Sequence, residues 1–177
     1  MKLRSTSNGY MLQTSILRYM NGEKFILIYY TSGHSFATPR LTATQKGLLS
    51  DQIPPYHLYG RSLDNNRRGE GASAEVAYNS RESSYLDPNG NISLYIKKRD
   101  NQFIILMHEL IHACRILKGT SRADFGLVIN PLSGQYNEEM RTVGVGKWKD
   151  KRPSENSLRQ ELGLPLRLSH SGMYGNE

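Results

Sequence analysis

The sequence is short of cysteine, of acidic charge and of long apolar runs, and each shortage removes a class of protein. Cys114 is the single cysteine in 177 residues. No internal disulfide and no thiolate zinc cage is therefore open to the chain, and a metal could be held only by His, Asp or Glu. No apolar run approaches the roughly eighteen residues of a membrane span. Residues 1–10 carry two basic side chains with no apolar stretch of leader length behind them, so export through a cleaved hydrophobic leader is not indicated. A polar secretion signal would leave no composition to recognise. Internal repeats and long low-complexity segments are also missing.

What remains is an ordinary soluble globular composition, 37% hydrophobic and 22% charged, in a chain long enough for one domain with a real core. The net charge of +7 favours acidic partners without choosing among protein, nucleic acid and membrane surface, and a solvated basic face is the commoner meaning of such an excess. The pattern predicts a first element over Met11 to Met20, a turn at Asn21-Gly22, and a buried strand over Phe25 to Tyr30. Thr31 to Pro55 reads as irregular and Arg61 to Ser73 as an exposed, mobile loop. Two strands are expected at Ala74 to Asn79 and Ile92 to Lys97, separated by the turn chemistry of Asp87-Pro88-Asn89-Gly90. The clearest helix begins at Asp100 or Asn101 and runs to Leu117. Lys118 suits its negative end and Gly119 the left-handed residue after it. Shorter helices are expected at Asn137 to Val143 and Ser154 to Leu162, the latter with Ser154 as cap and Gly163 as stop. The domain is expected to span 11–168, between a flexible start (1–10) and a flexible tail (169–177).

The chemistry concentrates in His108-Glu109-Leu110-Ile111-His112. Residues four apart on a helix face one way, so both imidazoles can grip one zinc ion. Glu109 sits too far round to share that role but close enough to reach a water on the metal, whose pKa zinc lowers towards about 7. H-E-x-x-H arises by accident in roughly one chain in a few hundred, so its context decides. Here it interrupts a helix too apolar to be exposed, and a buried ionisable trio needs a reason to be there. A catalytic zinc takes a third protein ligand and leaves its fourth position open. His34, His57 and His170 are available, but the best candidates are the adjacent carboxylates of Glu138 and Glu139, one to ligate and one to fix the imidazole of His112. The bland alternative is that both acids simply suit a helix N-terminus.

The segments His108-Glu109-Leu110-Ile111-His112-Ala113 and Glu138-Glu139-Met140-Arg141-Thr142-Val143-Gly144 resemble those of the clostridial neurotoxin light chains. The resemblance implies that Glu139 is the third zinc ligand and that Glu138 supports the site. The gap between the segments is shorter here, and Val143 replaces an aromatic residue. The layout is closer still to the small bacterial type III secreted zinc metallopeptidase effectors, whose members cleave host MAP kinases. That similarity runs from the strands before the helix to Arg167 and includes Glu155-Asn156-Ser157-Leu158-Arg159 and Gly163-Leu164-Pro165-Leu166-Arg167. It implies an α+β, compact, gluzincin-like zincin domain with a short mixed sheet packed on a central active-site helix. It also implies delivery into a host cell and a protein substrate, a host kinase among the candidates, with no nucleic acid or membrane partner and a monomeric state.

A peptidase also needs a group to stabilise the oxyanion, and Arg159, Arg167, Tyr136 and Tyr174 are candidates, Arg159 first. Arg141 reads as a structural partner of a carboxylate. Gly144-Val145-Gly146-Lys147 lacks full phosphate-loop spacing and reads as a turn. Cys114 reads as a small buried residue, and the scattered tyrosines match no RNA-binding signature. The competing reading is a basic binding module with a structural zinc, closed by a fourth side chain such as His170. A third is a metal-dependent hydrolase acting on a non-peptide bond.

Overall fold

The computed structural model describes residues 5–49, 56–60, 67–81, 86–87, 89–90, 102–122 and 134–170. Its first helix, α1 (Ser7–Tyr19), starts earlier than the apolar pattern suggests, so residues 7–10 belong to it. The polar first turn has its own reasons to be helical. Thr6 caps it by accepting from the Gly9 N–H, and the Asn8 N–H donates to the Glu161 carboxylate. Leu12 and Ile16 form the buried stripe, whereas Leu17 faces solvent.

Three strands form a mixed sheet. β1 (Ile26–Tyr30) runs parallel to the central strand β3 (Ser73–Tyr78), and β2 (Phe36–Arg40) runs antiparallel to it on the other side. Two expectations are corrected here. β1 is a strand but not a buried one: α4 packs chiefly on β3 and β2, and every residue after Ile26 is exposed. The stretch 31–55 is not irregular throughout, since it holds β2 and the short helix α2 (Ala43–Gly47). β2 has no alternating pattern and carries Pro39, which an edge strand tolerates. α2 carries a legible signal, the capping box of Thr42 and Gln45.

The long helix α4 (Gln102–Lys118) lies against β3, β2 and α1, after the single turn α3 (Tyr56–Tyr59). Ile104, Met107, Ile111 and Leu117 recur at helical spacing and are almost fully buried against Leu12, Ala74 and Val76. Burying each such side chain contributes about 1.5–3 kcal/mol. The stripe one position round carries His108 and His112, so the packed core fixes where the imidazoles point. α5 (Gly134–Val143) starts three residues before its expected bound, and α6 (Glu155–Glu161) lies inside the expected 154–162 with Ser154 as its cap. The expected strand 92–97 and the helix-capping residues 100–101 lie outside the described residues, as do residues 61–66 of the expected loop and Pro88 of the expected turn.

The end of α4 is stitched to the entry of β3. The Gly69 N–H donates to the Gly119 carbonyl, and the Ala72 N–H donates to the Ile116 carbonyl. Gly119 has φ +67°, and a Cβ there would strike the Gly69 carbonyl. Gly163 has nearly the same φ, +66°, with open space around it. Gly163→Ala is therefore expected to cost only the left-handed backbone penalty, about 1–2 kcal/mol. Gly119→Ala should cost clearly more, because backbone must also move. Urea unfolding of the two variants checks this, and equal losses would remove the close approach from the account.

Candidate metal centre

Three donor atoms converge between α4 and α5. His108 Nε2 and His112 Nε2 are 3.1 Å apart, and they lie 3.1 and 3.2 Å from Glu139 Oε2. Among the described residues this is the group whose donor atoms all lie within 4.8 Å of one another. Donors about 2.0–2.1 Å from a tetrahedral zinc sit roughly 3.3 Å apart, so the triangle has the size of one face of such a site. Two imidazole nitrogens at this spacing, with a carboxylate oxygen equally close to both, suit a shared cation.

Electrostatics gives the same fit. Burial opposes charge on His108, but Glu139 and Glu155 outweigh it and push the imidazole up to about 9. Burial likewise opposes charge on His112, and Glu139 and Glu138 drive it up to about 10. Burial also opposes ionisation of Glu139, yet His112, His108 and His170 hold its carboxyl well below the usual range. The surrounding carboxylates thus favour positive charge at the point where a divalent cation could stand.

Each histidine is backed by a buried carboxylate. His108 Nδ1 lies 2.8 Å from Glu155 Oε2. Glu155, at the start of α6, also accepts from Arg159 Nε at 2.7 Å and Arg167 Nη1 at 3.0 Å. Burial opposes its ionisation, and Arg167, His108 and Arg159 nevertheless hold its carboxyl far below the usual range. On the other side, His112 Nδ1 lies 3.7 Å from Glu138 Oε1. Glu138 accepts from Arg115 Nη1 at 2.7 Å and from the Arg122 N–H at 2.8 Å, with the Arg141 guanidinium 3.6 Å away. Burial opposes its ionisation too, but Arg115 and His112 bring it down to about 2. At His108 the hydrogen-bonded Nδ1 leaves the Nε2 lone pair free for a metal and fixes the plane of the ring.

The donors open on a cleft of about 340 Å³ whose walls include residues 35–39 along β2, Tyr59, Glu109, Ser121 and His170. Glu109 is on this wall, one residue beyond His108, as its place in the motif requires. His170 Nε2 lies 3.0 Å from Glu139 Oε2, and its Nδ1 is buried with no partner.

The first two oxyanion candidates are corrected. Arg159 is 1% exposed and committed to Glu155 and the Pro165 carbonyl. Arg167 is committed to Glu155 and to the carbonyls of Ser169 and His170. Both guanidiniums are drawn inward by a carboxylate that must be neutralised, and neither lines the cleft. Tyr136 does not line it either, and Tyr174 lies outside the described residues. The tyrosine on the cleft wall is Tyr59, which the sequence did not single out because it stands in an unpatterned segment. Glu155 as the partner of His108 was equally invisible, since 47 residues separate them. Arg115 had a signal, a charged side chain three residues past His112 on a buried face.

Residues 5–170 match the model of a family described as effector protein, peptidase family M91. The chain belongs to this family of type III effector metallopeptidases. Membership implies a protein substrate and secretion into a host, and among the described residues no helix is long and apolar enough to cross a membrane. No curated protein and no solved structure matches the chain.

The backing carboxylate yields a measurable expectation. Glu155→Gln should keep the shape of the side chain but remove the charge that orients His108, lowering metal affinity about 10–100-fold. Competition against a chromophoric chelator measures this, and an unchanged affinity would leave Glu155 a purely structural ion partner.

Proposed function

Starting from membership of this metallopeptidase family, we propose that the chain is a zinc-dependent endopeptidase of gluzincin type, delivered into host cells to cleave a signalling protein. The observation that carries this reading is the convergence of His108, His112 and Glu139 on one point at the wall of an open cleft, with Glu109 beside them. His108 and His112 would hold the ion through Nε2 and Glu139 through Oε2. Bound there, zinc supplies Lewis acidity that polarises a peptide carbonyl and acidifies water in the cleft.

This chain's residues supply the rest. Glu109 takes the proton of the attacking water and passes it to the departing amine, so the same carboxylate serves as base and then as acid. Glu155 and Glu138 keep the two rings in the tautomer that turns Nε2 toward the cleft. The arginines behind them hold those carboxylates ionised, so they do not withdraw as acceptors when the charge in the cleft changes. The protein substrate enters along the wall built by β2, Tyr59 and Ser121.

One observation favours a second reading. His170 reaches Glu139, and a fourth protein donor would turn an open catalytic site into a closed structural one. The basic surface would then serve a binding module. Under the peptidase reading His170→Ala leaves metal content unchanged. A loss comparable to that of His112→Ala would identify the closed site.

Glu109→Gln should retain zinc and lower cleavage by about 10²–10⁴-fold, the usual contribution of a general base. Incubation with host lysate, with and without chelator, and mapping of new protein N-termini provides the readout. Undiminished cleavage would take Glu109 out of the mechanism. Glu139→Ala should reduce zinc occupancy more than Glu138→Ala, and the opposite order would move the third ligand to Glu138.

A further inference from the structure

The turn after α5 carries a feature that the metal centre does not use. Trp148 is the single tryptophan of the chain, and three cations face its ring. The Arg122 guanidinium lies 5.4 Å from the ring centroid, that of Arg141 5.7 Å, and the Lys147 ammonium 5.3 Å. The face of an indole attracts each cation, but the cations repel one another. Arg141 has other partners, the Thr120 carbonyl and Glu138. Arg122 meets Glu138 through its backbone N–H, and Lys147 stands on the exposed turn. Among the described residues no carboxylate pairs with either side chain. The indole Nε1–H is buried and has no acceptor among the described residues. Lys149, Asp150 and Lys151 follow on the exposed turn. Among the described residues the locus is therefore richer in donors and positive charge than in acceptors, with Asp150 as the carboxylate on its turn.

Its position relates it to the cleft. Ser121 forms part of the cleft wall, and Arg122 is the next residue. α5 presents Glu139 to the cleft and, two residues on, Arg141 to the indole. Arg122 therefore adjoins the cleft wall through Ser121.

We propose that Trp148, Arg122 and Lys147 form a docking platform for an acidic segment of the protein substrate, next to its cleaved stretch. The inference rests on the peptidase reading only in identifying the acidic segment as part of a substrate. Carboxylates of that segment accept from Arg122 and Lys147, relieving the repulsion among the cations. Arginine and tryptophan are also the side chains that most often dominate such contacts. Long-range attraction from the basic turn speeds encounter with acidic segments and disfavours basic ones.

The test uses the full chain as zinc-loaded Glu109→Gln, so that binding is read without hydrolysis. A fluorescein-labelled decapeptide of alternating Glu and Gly is titrated against it, beside Gln-Gly and Lys-Gly controls. Anisotropy gives affinity, and Trp148 emission gives location. The Glu peptide alone should bind, with a saturable change in Trp148 emission and affinity falling several-fold between 50 and 200 mM salt. Adding R122A and K147A together should weaken binding at least ten-fold with zinc content and circular dichroism unchanged, whereas R122K with K147R should retain it. Binding that leaves Trp148 emission unaltered, or that survives R122A with K147A, overturns the platform. Either result leaves the peptidase reading standing, and inactivity of the wild-type chain in lysate would not remove the binding.

Discussion

A carboxylate held ionised where water barely reaches is the constraint on which the rest of this site depends. Glu155 is 1% exposed, and Arg167, His108 and Arg159 hold its carboxyl far below the usual range. Removing such a group from water costs several kcal/mol unless opposite charge and hydrogen bonds meet it. Arg159, Arg167 and His108 do so together, and each is thereby fixed. Arg159 ties the group to its own helix. Arg167 brings in the segment after α6, and through its contacts with the Ser169 and His170 carbonyls it sets His170 on the cleft wall. His108 is turned so that its other nitrogen faces Glu139. One buried charge thus joins the C-terminal segment to α4, and breaking such a group by removing one partner costs about 3–5 kcal/mol.

Glu138 repeats the arrangement behind His112, less tightly. Its carboxylate lies 3.7 Å from Nδ1, and Thr142 Oγ1 is 3.5 Å from the same nitrogen. Arg115 explains the difference. It donates to Glu138 and Thr142 at 2.7 and 2.5 Å and so draws both toward itself. His108 Nδ1 accordingly has the closer carboxylate, at 2.8 Å against 3.7 Å for His112. The asymmetry follows from where the arginines stand, on α6 and beyond for one histidine and on the histidine's own helix for the other.

The sequence made the helical part of this design readable and left the pairing hidden. His108, Glu109 and His112 are set by local periodicity, and α4 formed as its apolar stripe required. Glu139 was approached through an acidic pair whose use no local rule decides, and resemblance picked one of the two. Which arginine meets which carboxylate depends on packing between segments distant in the chain. That is why Arg159 looked like a group for the cleft when it is a group for the interior. β1 failed for a related reason. Ile26 to Tyr30 is apolar enough for a central strand, but burial depends on what packs on the faces of a strand, and α4 lies chiefly on β3 and β2.

The same charges bear on how metal binding relates to folding. In small zinc domains the metal supplies the folding energy, because nothing else holds the ligands together. Here the imidazoles are held by α4, whose buried stripe does not involve the site, and by carboxylates whose arginines remain when the ion leaves. The carboxylates around His108 and His112 favour the charged state of both rings, and the three donor atoms lie 3.1–3.2 Å apart, so a cation bound there would meet a triangle already of the right size. A site organised in this way suits catalysis, where the ligand geometry must hold while the open face exchanges its occupants.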